Sequence, residues 1–303
     1  MTRRTGIGSF AVVQRHADER TQVAGLETIA REFAGAAIAA VAAGSFPLTL
    51  RRCFEAAVEL DREWTVTVDG DVLLLPGAGR AIMTLADRAP STVGHVGLLV
   101  HDRVTREIRA AGVRLYRTAT MQAALERGDW GGTLRPETEL LASLDDVVAW
   151  APSVLVGLHD HEQYLRDLFR TAFVMVRKKA HQRDQLIALW RGRPDDPADM
   201  ALVAGALAAG RPELELTFAA SDYRALSEAF LLAAGLEERA PLTAAPSPDL
   251  LEQLVPAHAQ RLRSPGFAAR RLPKVWKKAA NGVHGLALLR YALGRTIAVA
   301  LRR

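Results

Sequence analysis

The chain has 303 residues, 49% apolar and 24% charged, the balance of a globular protein with enough length for one large core or two modest ones. Its single cysteine, Cys53, excludes an intrachain disulfide, and no apolar run is long enough for a membrane-spanning helix. The formal charge of +5 is uneven: residues 261–303 hold eleven of the 39 Lys and Arg and no acidic residue, so the preceding body is net acidic, which argues against nucleic acid as a partner.

In chain order, "SFAVVQRHADER" opens with a strand. The apolar run near the start is too short for a secretory signal, and with one cysteine a reducing, cytoplasmic setting is expected. "TQVAGLETIAREFAG" has helical spacing at Val23, Leu26, Ile29 and Phe33, closed by Gly35. "AAIAAVAAG" fits a buried strand or, by its alanines, a helix. "PLTLRRCFEAAVEL" is an amphipathic helix with Pro47 in its first turn and Cys53 on its core side. "WTVTVDGDVLLL" is the clearest strand, "GAGRAIMTLADRA" is helical, "TVGHVGLLVHD" reads as a strand and "TATMQAALERG" as a helix. Alternation of this kind predicts an α/β layer with a mostly parallel sheet flanked by helices. Two regions are expected: a catalytic domain over 1–180, and a mainly helical region over 181–303 ending in the basic tail.

Three stretches offer chemistry. Asp69 and Asp71 flank Gly70 at the end of the best strand, where the carboxyl edge of a parallel sheet receives ligands. Two adjacent carboxylates resist burial unless a cation or proton shares the site, and they suit Mg²⁺ or Mn²⁺. A surface turn of this composition is about as common. In "VLVGLHDHEQYLRDLF" an apolar run ends in His159-Asp160-His161; imidazoles there could bind a metal, or Asp160 could cap the following helix between two exposed histidines. Between these, Arg103, Arg106, Arg109, Arg114 and Arg117 could form a phosphate-binding cluster or the solvated face of a helix. Trp130 could stack on a sugar or cover core. Glu137 and Glu139 are candidate general bases.

The segment "TLRRCFEAAVELDREWTVTVDGDVLLLPGAGRAI" resembles the middle of GT-A-type nucleotide-sugar glycosyltransferases, in which a helix leads into an apolar strand ending in Asp-x-Asp and then into another helix. The resemblance extends over about residues 9–180. It implies a GT-A-like fold and a divalent metal, Mn²⁺ or Mg²⁺, held by Asp69 and Asp71 against the diphosphate of a nucleotide-sugar donor. It further implies His159 or His161 as a third ligand, and His159 is preferred because it ends the apolar run. On this reading Arg114 and Arg117 meet the donor's phosphates with Asp69, Glu137 serves as base, and the acceptor is a glycan or lipid-linked hydroxyl in envelope polysaccharide or glycolipid synthesis. No acidic residue in "AAIAAVAAGSF" is placed to meet a ribose or base.

Two other readings stand beside it. A haloacid-dehalogenase-type phosphohydrolase also places Asp-x-Asp after an apolar strand; Asp69 would be its nucleophile, Asp71 its acid/base and Asp145-Asp146 a later metal pair. Leu73 departs from that pattern, as do the two strand–helix units ahead of the motif. A non-catalytic scaffold would use only the tail, "RRLPKVWKKAANGVHGLALLRYALGRTIAVALRR", whose basic residues and Trp276 fit an anionic membrane surface or the outer face of a packed final helix.

Overall fold

The computed structural model describes residues 6–128, 130, 136–144, 148–151, 154–211, 213–214, 223–263 and 270–271. The first half alternates as its periodicity dictates. Strand β1 (Phe10–His16) is followed by helix α1 (Gln22–Glu32), β2 (Ala37–Ala42) by α2 (Phe46–Glu59), and β3 (Trp64–Asp69) by a short return strand β4 (Val72–Leu74) and α3 (Ala78–Arg88). β1 lies between β2 and β3, parallel to both. The ambiguous alanine run is therefore a strand: pairing with β1 along the whole of β2 overrides the helix preference of alanine.

The arginine-bearing segment is not a helix. It is β6 (Ile108–Arg117), antiparallel to β3 on one side and to β5 (Val93–Asp102) on the other. Beyond it come α4 (Thr118–Arg127), α5 (Pro136–Ser143), β7 (Val148–Ala151) and β8 (Leu155–His159). β7 and β8 both run parallel to β5, β4 pairs antiparallel with β8, and β9 (Arg270–Arg271) closes the order β2-β1-β3-β6-β5-β7-β9. β1, β2, β3, β5, β7 and β8 thus share one direction, and the sheet is mostly parallel.

Both faces are covered, as such a sheet requires. Phe10 and Val12 of β1 pack with α1 and α3 residues such as Ile29, Ile82 and Leu85, whereas Val13 turns to the opposite face, with Cys53, Phe54, Tyr116 and Trp130. Trp130 meets Phe54 edge-on at 5.4 Å, a core contact.

A second core is mainly helical, built from α6 (Leu165–Lys178), α7 (Arg183–Arg191), α8 (Pro197–Ala208) and α9 (Arg224–Ala233). It begins at α6, ahead of position 181. Asp199 of α8, fully buried, is paired by both Arg103 and Arg106, and the Trp190 indole N–H donates to the Val104 carbonyl at 2.7 Å. Those contacts join the helices to the loop between β5 and β6. A connector carrying α10 (Pro248–Gln253) packs Leu251 and Val255 against Leu73, Leu75 and Leu158. Among the described residues no helix is long and apolar enough to cross a membrane.

The α6–α8 crossing depends on Gly205, where a Cβ would fall 2.1 Å from the Phe169 carbonyl oxygen. Gly205→Ala is therefore expected to cost roughly 1–3 kcal/mol by overpacking. Urea unfolding reads this directly; an unchanged midpoint would contradict the close approach.

Candidate metal centre

The carboxyl ends of β1, β3, β5 and β8 meet along one edge. Arg15 of β1 is level with Asp69 of β3, and Asp102 of β5 is level with His159 of β8, which is itself paired with Val72 of β4. Gly70 makes the turn between β3 and β4. Its N–H donates to the Arg15 carbonyl at 2.8 Å, its carbonyl accepts from the Thr21 hydroxyl at 2.8 Å, and a Cβ there would lie 2.5 Å from a Glu19 oxygen. The backbone is pressed against the end of β1, so the residue between the two aspartates has no room for a side chain. Asp71 is fixed by its own carbonyl, which accepts the Asp160 N–H at 3.1 Å.

Asp69, Asp71 and His159 each present a ligand atom, all within 4.8 Å of one another. His159 Nδ1 lies 2.9 Å from Asp102 and 3.1 Å from Asp160, which leaves Nε2 facing Asp71 Oδ1 at 3.5 Å. That Asp71 oxygen is buried and accepts no hydrogen bond. Asp102, fully buried, also accepts from Arg109, from the Thr105 N–H at 2.7 Å and from the Thr105 hydroxyl at 2.8 Å. A carboxylate that orients an imidazole from behind is the usual support of a metal-binding histidine. Gly112 of β6, at φ +65°, leaves space for the ring; a Cβ there would be 2.9 Å from His159 Cδ2.

The electrostatics suit a bound cation. Burial pushes the Asp71 carboxyl well above its ordinary range, and Asp160, Asp69 and Glu19 add to this against the opposing pull of His159. Burial disfavours a charged His159, yet Asp71, Asp160 and Asp102 outweigh it and hold the imidazole as its cation well above the usual range. Burial raises Glu19 to about 7. A divalent ion bound by hard carboxylate oxygens and one imidazole would compete with protons at these groups.

Behind Asp69 stands a chain of ion pairs. Arg15, buried, donates Nε to Asp69 Oδ1 and lies 3.2 Å from Glu137 Oε1 through Nη1. Glu137 also receives Arg114 at 3.3 Å and the Tyr116 hydroxyl. Burial alone would raise the Glu137 carboxyl; Arg15 and Arg114 overcome it and hold it down at about 2. Glu137, expected as a base, thus has both oxygens engaged by Arg15, Arg114 and Tyr116. Its place is to anchor the arginine that holds Asp69.

Arg114, expected on the donor's phosphates, is committed to Glu137. Arg117 is at the other end of the strand, level with Trp64, stacked 4.2 Å over that ring and 3.4 Å from Glu63, so it does not reach Asp69. Glu139 is exposed on α5. His161 is buried 5.1 Å from the His101 ring and turned away from the aspartates; burial and His101 lower it to about 3. Asp145-Asp146 and the tail beyond Arg271 lie outside the described residues. Arg15 and Asp102 were absent from the sequence reading. The one available signal was that two strands end alike, in Val100-His101-Asp102 and Leu158-His159-Asp160.

No protein-family model matches the chain, and no curated protein matches it in sequence. Among solved structures it is similar to glycosyltransferases. One is a glycosyltransferase involved in glycosylation of the major capsid of PBCV-1, at 12% identity and TM-score 0.37, over 50% of this chain and 93% of that one. Another is a mutant of the Drosophila beta-1,4-galactosyltransferase 7 in complex with manganese, UDP-Gal and xylobiose, at 15% identity and TM-score 0.33, over 46% of this chain and 63% of that one. Neither likeness bears on the role of any residue here.

Proposed function

We propose that the protein is a metal-dependent glycosyltransferase that moves a sugar from a nucleotide sugar to a hydroxyl of a glycan or lipid-linked acceptor, in envelope polysaccharide or glycolipid synthesis. The observation that carries this reading is the convergence of Asp69, Asp71 and His159 at the carboxyl edge of a mostly parallel sheet. Asp69, Asp71 and His159 would hold Mn²⁺ or Mg²⁺, whose charge would offset that of a departing nucleoside diphosphate. Asp102 keeps His159 Nε2 turned to the site, and Arg15 fixes one Asp69 oxygen, leaving the other for the ion. The basic tail would bring this edge to an anionic leaflet on the cytoplasmic side.

The phosphohydrolase reading asks Asp69 to attack phosphorus. Its tie to a buried arginine, itself tied to Glu137, suits a fixed ligand better than a nucleophile. The scaffold reading makes the acidic pair dispensable. A panel of nucleotide sugars and simple phosphate esters, each with Mn²⁺, separates the three. Metal-dependent release of nucleoside diphosphate is expected, with the esters untouched. Ester turnover with an aspartyl-phosphate trapped at Asp69, or no turnover of either class, would overturn the proposal.

A further inference from the structure

The helical core carries an open cleft of about 670 Å³ that the metal centre does not use. That volume is in the range of small-molecule sites. Its walls include Phe169, Trp190, Leu207 and Phe230, while Arg191, Arg193 and Arg211 stand around it. All three arginines are exposed, and among the described residues none of their side chains has a carboxylate partner. Asp199, the acidic group in the lining, is already paired with Arg103 and Arg106. The cavity is therefore greasy inside and positively charged at its rim. Leu207, 46% exposed, leaves apolar surface in contact with solvent there.

A second cavity of about 500 Å³ adjoins it, sharing Arg193, and is polar. It is lined by Asp160, the residue next to His159 and 3.1 Å from its ring, and by the buried His101 and His161. His101 Nδ1 and His161 Nε2 are buried there with no hydrogen-bond partner. The apolar cleft and the polar cavity thus meet at Arg193.

We infer that the two cavities bind one amphiphile: a lipid phosphate whose hydrocarbon chain fills the helical cleft, whose phosphate is held by Arg191, Arg193 and Arg211, and whose polar end enters the second cavity. The inference does not rest on the glycosyltransferase reading. Guanidinium forks match phosphate oxygens, and removing a hydrocarbon chain from water supplies affinity roughly in proportion to its length, about 0.8 kcal/mol per buried CH₂.

Calorimetry on the full chain with farnesyl phosphate, farnesol and inorganic phosphate tests the inference. Farnesyl phosphate is expected to bind and inorganic phosphate not to. Leu207→Trp, which narrows the cavity from an already exposed position, and Arg193→Glu, which reverses a rim charge, should each weaken binding tenfold or more. Asp71→Ala should leave it unchanged, so that loss of the metal reading and loss of this one are distinguishable. The inference fails if farnesyl phosphate does not bind, if inorganic phosphate binds as well, or if neither Leu207→Trp nor Arg193→Glu matters. It also fails if the full chain is a dimer that Leu207→Trp dissociates, because a second copy would then be the occupant.

Discussion

Replacing Glu137 with Gln is expected to destabilise the protein by roughly 3–5 kcal/mol, the cost of leaving buried cations without their carboxylate. Arg15 is buried and Arg114 only partly exposed, and both point at Glu137. The pH dependence follows from the depressed carboxyl. Glu137 titrates at about 2 in the folded protein against an ordinary 4.5. Its stabilisation is therefore fully present above about pH 4.5 and is lost as pH falls toward 2, a swing of roughly 3 kcal/mol. Urea unfolding of wild type and Glu137→Gln should differ most at neutral pH and converge in acid. A difference below about 1 kcal/mol at pH 7 would contradict the network. Because Arg15 also holds Asp69, metal affinity should fall in the same variant.

Asp102→Asn should weaken divalent-metal binding about 10- to 100-fold while leaving every proposed ligand in place. Asp102 Oδ2 accepts from Arg109 and sits 2.9 Å from His159 Nδ1. The carboxylate requires the Nδ1 proton and so turns the Nε2 lone pair toward Asp71. An amide can donate in its place, which favours the tautomer with the proton on Nε2, where the ion must bind. Mn²⁺ affinity measured above the His159 titration isolates this effect from simple proton competition. Wild-type affinity in Asp102→Asn would show that the imidazole needs no such support.

The parts of this site that were legible in the sequence are those encoded locally. Strict alternation from Trp64 to Val68 ended in Asp69, and an apolar run ended in His159, so strand ends and their ligands could be read together. Arg15 and Asp102 act across 54 and 57 residues of chain, and no periodicity links such partners. Only the register of β1 on β3 and of β5 on β8 brings them together. β6 is a related case. "IRAAGVRLYR" carries alanines and arginines that suit a helix, and it is a strand because β3 and β5 both offer it an antiparallel edge. Glu137 looked available because the sequence gives no warning that two arginines and a tyrosine converge on it. The layered architecture was legible because each element declares its own period, and the mostly parallel sheet follows from their alternation.

Calorimetric titration of Mn²⁺ into the full chain and into Asp71→Ala tests the central claim most directly. The wild type should bind one ion, more tightly as pH rises, because the ion must displace the proton held on His159. Asp71→Ala removes the buried oxygen that faces His159 Nε2 and should abolish that binding. Mn²⁺ binding of wild-type strength in Asp71→Ala, or none in the wild type, would contradict the assignment of Asp69, Asp71 and His159 as a metal centre.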